Sequence, residues 1–91
     1  MHAVIVRVRV TEAESATKEL RENVVPRVSQ APGFVTGYWV RLEDGDEGNS
    51  VIVFESEEAA RGAAGQIRGA VDSNPGVELE DVIVGEVVAN A

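Results

Sequence analysis

The chain has 91 residues and a formal charge of −8, from 16 acidic and 8 basic residues, which is near the size where one hydrophobic core only just suffices. An acidic balance opposes binding to nucleic acid or to an anionic membrane surface, because both partners demand the opposite field. With no cysteine and a single histidine, disulfides, thiolate chemistry and a His-cluster metal site are excluded within one chain.

In chain order, residues 2–10, "HAVIVRVRV", alternate strictly. Val4, Val6, Val8 and Val10 lie on one face, with Ala3, Ile5, Arg7 and Arg9 on the other, so a strand is predicted. The same segment lacks a signal-peptide layout and is shorter than a membrane span, so a cytoplasmic protein is the default expectation. Thr11 is placed to cap a first helix, with Glu14 at the capping-box spacing. Ala13, Ala16, Leu20, Val24 and Val28 form its apolar face, and Lys18, Glu19, Arg21 and Glu22 lie away from it. Pro26 predicts a kink or break near residue 25.

"APG" at 31–33 reads as a turn, residues 34–42 as a second strand, 43–49 as a polar hairpin loop, and 50–55 as a third strand. Ser56 caps a second helix whose first turn carries Glu57 and Glu58. Gly62, Gly65 and Gly69 beside several alanines suggest close approach of that helix to the sheet. Residues 77–89 form a long last strand, with a bulge expected at Gly85.

The order βαββαβ, with right-handed crossovers, predicts one α+β domain over residues 1–91. Its architecture is ferredoxin-like: a four-stranded antiparallel sheet with two helices on one face. The opposite face should then be polar, yet Val51 and Val53 alternate with Ile52 and Phe54, and Val82 and Val84 with Ile83. Both faces call for burial. A second copy packed sheet to sheet across a two-fold axis satisfies this, with the long fourth strand reaching the partner's edge.

The run "PGFVTGYWVRL…SVIVFESEEAA", after a first helix ending "ENVVPRVSQAPGF", resembles the dimeric α/β-barrel superfamily, in its antibiotic-biosynthesis-monooxygenase-like branch. The resemblance covers nearly the whole chain and includes the helix proline, the Pro-Gly-Phe turn and the Glu-Ser-Glu-Glu-Ala helix start. It implies a homodimer whose two sheets form a shared barrel, with any ligand in the helix-side cleft. Haem-degrading members use a strand-one Asn, a Trp after strand three and a helix-two His. None of these has a match here, so haem degradation is disfavoured. Cofactor-independent monooxygenases of phenolic polyketides use an Asn, Trp and Tyr site that this chain does not reproduce residue by residue. No cofactor is implied.

Five residues remain as ligand-binding candidates. Tyr38 and Trp39 are neighbours on one strand, so they point to opposite faces and cannot line the same pocket of one subunit. Each is either packing, in core or interface, or a ligand contact. Gly37 shares the face of Trp39 and leaves room for a ring or a ligand. Arg7 and Arg9 either pair across strands with Glu55, Glu80 or Glu86, or form an anion site. Arg41 is expected in solvent, His2 at a fraying strand end. The acidic run Glu43, Asp44, Asp46 and Glu47 reads as a solvated loop and lacks a full calcium-loop pattern. The glycines of the second helix are not a phosphate loop. Three functions stay open: an apolar or aromatic ligand binder, a cofactor-free monooxygenase, and a structural dimer whose cleft is shut by Leu20, Val24 and Phe54.

Overall fold

Strand β1 (His2–Val10) is central, and its alternation is realised in the pairing. The computed structural model describes residues 1–91 apart from Asp44 and Pro75. Val4 lies opposite Ile52 of β3 (Glu47–Phe54) and opposite Val84 of β4 (Val77–Glu86). Strand β2 (Phe34–Arg41) pairs with the far side of β3, so the antiparallel sheet runs β2-β3-β1-β4. Both expected crossovers are present, and the fold is ferredoxin-like.

The first helical segment departs from expectation at both ends. Helix α1 (Ala13–Glu19) starts after Glu12, which makes no side-chain cap bond. The expected Thr11 capping box is absent because the backbone is engaged elsewhere: the N–H groups of Thr11 and Glu12 both donate to the Gly76 carbonyl, at 2.7 and 3.1 Å. The kink or break expected near residue 25 takes the form of a π-helical turn, Leu20–Val24, that leads into the short α2 (Val25–Ser29). The Val25 N–H reaches back to the Leu20 carbonyl. A wider turn just before the proline lets the chain stay helical where an α-helical ring would meet the carbonyl four residues earlier.

The Pro-Gly-Phe turn is held by the Glu55 N–H, which donates to the Gly33 carbonyl at 2.8 Å. Helix α3 (Glu57–Asp72) begins as predicted, with the Ala59 N–H donating to Ser56 Oγ at 3.1 Å. The Arg61 guanidinium, and more weakly His2, holds the Glu57 carboxyl below its ordinary range. No helix among the described residues is long and apolar enough to cross a membrane.

Between helices and sheet lies a core of Val4, Val6, Val28, Ile52, Phe54 and Ile67 with the buried alanines of α3. Phe34 and Phe54 meet at 6.2 Å between ring centroids. The helix α3 alanines approach the sheet, but its glycines do not: a Cβ at Gly62, Gly65 or Gly69 would meet nothing within 4 Å. The close approach read into those glycines is therefore carried by Ala60, Ala63 and Ala64 alone. The bulge predicted at Gly85 is also displaced. Gly85 pairs regularly with Ala3, and the register shifts opposite the Arg7–Val8 step, leaving Glu80 as the extra residue.

The far face of the sheet is apolar at one end. Tyr38, Val51 and Ile83 are 67%, 42% and 45% exposed there. At the other end Arg7 pairs with Glu47 at 3.1 Å, and Arg9 stands in register with Glu47 and Glu78. Beyond β4, Val87 donates to the Met1 carbonyl at 3.0 Å, after which Val88 is 88% exposed.

Two glycine substitutions separate backbone strain from open space. Gly76 has φ +90, and an added Cβ would lie 2.9 Å from the Glu12 carbonyl oxygen. Gly76→Ala is expected to lower stability by about 2 kcal/mol in urea unfolding. Gly65→Ala, on the open face of α3, is expected to raise it by about 1 kcal/mol. Equal effects would contradict the placement of these two residues.

Candidate functional site

Val6, Val8, Ser50, Ile52 and Trp39 share the helix-facing side of the sheet, because Val6 pairs with Ser50 and Ser50 with Trp39. Ala16, Thr17, Leu20, Val24 and Val28 descend onto them from the first helical segment, and Ile67 and Val71 from α3. They enclose a cleft of about 230 Å³. That is a little below the roughly 300–1,000 Å³ usual for small-molecule sites, so an occupant is small or protrudes at the mouth.

The cleft is not packed shut. Leu20 and Val24 line it as walls, while Phe54 is fully buried outside its lining, against Phe34. Among the described residues Ser50 is the one buried polar side chain, at 8% exposure, and it lies on the lining. Asn74, which follows α3, also lines the cleft, and its Oδ1 is buried without a partner. Hydrogen-bonding groups left open in an apolar wall favour a ligand that supplies the missing partners.

The five candidates separate cleanly. Trp39 is half-buried in the cleft wall. Tyr38 is on the opposite side of the sheet, so it does not reach the cleft of its own chain. Gly37 does make room, but for the indole two residues on: a Cβ there would sit 3.0 Å from Trp39 Cη2 and Cζ3. Arg7 and Arg9 are on the far face with Tyr38, which removes them from any anion site in the cleft. Arg7 does pair across strands, though with Glu47 and not with Glu55, Glu80 or Glu86. Glu47 first, then Glu80 and Asp81, raise its pKa above the ordinary arginine value.

Two other arginines line the cleft. Arg41 is exposed but lines the cleft, on the same strand face as Trp39. Arg21 faces it from the π-helical turn. The helical reading assigned Arg21 to the outer side. Its position four residues after Thr17 and three before Val24 puts its stem on the cleft rim, where a long aliphatic chain can follow apolar surface and keep its charge in water. Nothing in the sequence marks Asn74 as a cleft residue, and for Ser50 the signal is a lone polar residue at the head of the run "SVIVF". His2 is half-buried at the other end of β1, opposite Phe54, with Nδ1 unpartnered. The acidic-loop reading falls partly on Asp44, outside the described residues. No three His, Cys, Asp or Glu side chains among the described residues come together as metal ligands would.

No protein-family model and no curated protein sequence matches the chain. Solved structures do. The chain is similar to HapK from Hahella chejuensis, with TM-score 0.75 and 15% identity over 100% of this chain and 96% of that one. It is similar to SnoaB, a cofactor-independent oxygenase from Streptomyces nogalater, with TM-score 0.74 and 18% identity over 98% and 94%. A monooxygenase from the gene ActVA-Orf6 of Streptomyces coelicolor, in complex with nanaomycin D, aligns with TM-score 0.66 and 20% identity over 98% and 92%. The neighbours are antibiotic-biosynthesis-monooxygenase-like proteins of ferredoxin fold, the branch that the sequence motifs resemble. At these identities the likeness establishes the shared fold.

The contact between Gly37 and the indole can be read spectroscopically. Gly37→Ala is expected to displace the ring and shift Trp39 emission, while Arg7→Ala, across the sheet, leaves the spectrum unchanged. An unshifted spectrum in Gly37→Ala would mean the ring does not lie over residue 37.

Proposed function

We propose that this chain is a small homodimeric protein that binds an apolar or aromatic metabolite in the cleft between the first helical segment and the sheet. The observation that carries the reading is the open cleft itself, with Trp39 in its wall and the buried, unpartnered Asn74 Oδ1 in its lining. A structural dimer with no ligand would be expected to fill that space with Leu20, Val24 and Phe54. An aromatic ligand gains from burial against the valines and from contact with the indole, and the polar groups fix its orientation.

The homodimer rests on the far face of the sheet. Ile5, Tyr38, Val51, Val53 and Ile83 form an apolar area beside the Arg7–Glu47 pair, an apolar centre with a polar margin as at protein interfaces. Ala3 and Gly85 pair within it and let a second sheet approach closely.

Cofactor-independent monooxygenation of a phenolic, polyketide-like substrate is the second reading, favoured by the likeness to SnoaB and the ActVA-Orf6 monooxygenase. In such chemistry the substrate supplies the electrons to dioxygen, and the protein contributes positioning and stabilisation of the developing anion. Thr17, Asn49, Ser50 and Asn74, with Arg21 and Arg41 at the mouth, are the lining groups able to donate to it.

Titration of the purified protein with tricyclic phenols, followed by Trp39 emission, is expected to saturate near one ligand per subunit. Arg7→Ala and Arg9→Ala are expected to leave that affinity unchanged; a loss in either would return the site to the far face. Oxygen consumption in the same mixtures distinguishes catalysis from binding. Ile83→Glu is expected to convert a dimer to a monomer in sedimentation velocity, since it buries a charge in the apolar area. A wild-type monomer would sink the dimer reading.

A further inference from the structure

The cleft carries charge of one sign. Among the described residues that line it, Arg21 and Arg41 are the charged ones, in a chain with twice as many acidic residues as basic. Both also line the adjoining hollow on the flank of α1, so the two guanidinium-bearing side chains meet at one mouth, from opposite walls. Neither belongs to an ion pair among the described residues, where the pairs are Arg7–Glu47 and Arg61–Glu57. Glu14, Glu22 and Lys18 line the outer hollow, and Glu43 and Asp46 lie beyond Arg41 at the hairpin; none of these lines the cleft.

On the reading of the cleft as a ligand site, we propose that its ligand is an aromatic carboxylate, with its ring against Trp39 and its anionic group held at the mouth by Arg21 and Arg41. The strand places Trp39 and Arg41 two residues apart on one face, so a planar ligand leaving the indole passes directly into the charged rim. Arginine suits this role because its planar fork matches a carboxylate in bidentate geometry. In the outer hollow Arg21, Arg41 and Lys18 outnumber Glu14 and Glu22, so the mouth keeps a net positive charge for an anion. The whole-chain charge of −8 repels anions at long range, so discrimination depends on these two side chains at contact distance. Arg7 and Arg9 play no part in it.

The test is isothermal titration of the full chain at low salt with 2-naphthoate and with the neutral isostere 2-naphthamide. Wild type is expected to bind the carboxylate about tenfold more tightly, the scale of a charge-assisted hydrogen-bonded pair. The double variant Arg21→Gln, Arg41→Gln is expected to lose that preference while binding the amide as wild type does, which also shows that it is folded. Equal affinity of wild type for both compounds overturns the anion assignment and leaves the apolar cleft intact. A preference that persists in the double variant overturns the assignment to these arginines. Binding of neither compound overturns the cleft reading and this proposal with it.

Discussion

Strand β1 sits between β3 and β4 with Val4 opposite Ile52 on one side and Val84 on the other. Because side chains alternate with a period of two, a slip of one residue in either pairing would exchange the two faces of the sheet. Val4, Val6 and Ile52 would leave the core, and Ile5, Arg7 and Val51 would enter it. Burying Arg7 there without Glu47 would cost several kcal/mol, so the register is strongly specified. Every assignment of a residue to cleft or interface inherits this pairing. Trp39 and Tyr38 take opposite fates for the same reason.

The helices then decide how much of the inner face is sealed. Helix α3 packs through alanines, which bring its backbone near the sheet and close one side of the core. The first helical segment instead carries Leu20, Val24 and Val28 over the valines of β1, and the π-helical turn ahead of Pro26 interrupts its regular packing. Short valines beneath that segment leave space unfilled. Small side chains thus produce both the modest core and the cleft. The outer face follows from the same shortage of helices: two cover one side, and the apolar end of the other side is left exposed, the face that the proposed dimer would bury. An interface of ordinary size removes about 800 Å² from each partner, and a chain this small gains proportionately more from it.

Much of the fold was legible in the residues. The alternation of β1, the Ser56 cap, the Pro-Gly-Phe turn and the two-sided apolar pattern of β3 are local signals, and each appears where it was read. Local chemistry failed where a distant group competed for the same atoms. Thr11 reads as a cap, but its N–H and that of Glu12 are taken by the Gly76 carbonyl, more than sixty residues away in sequence. Gly85 reads as a bulge, but pairs smoothly with Ala3 while the bulge falls at Glu80. Pro26 is a local case: it reads as a kink or break, and the irregularity takes the form of a π-helical turn just ahead of it.

The sequence by itself determined the element order, the division of each strand into two faces and the apolar character of both. Those properties depend on periodicity and on neighbours within a few residues. Which arginines reach the cleft was decided only by the tertiary structure. Arg7 and Arg9 look unusual along the strand, yet the register turns them outward to Glu47. Arg21 and Arg41 look like ordinary surface charge, and the crossing of the first helical segment over β2 and β3 brings them to the same opening. A site assembled from separate elements is set by their packing geometry, which no single segment encodes.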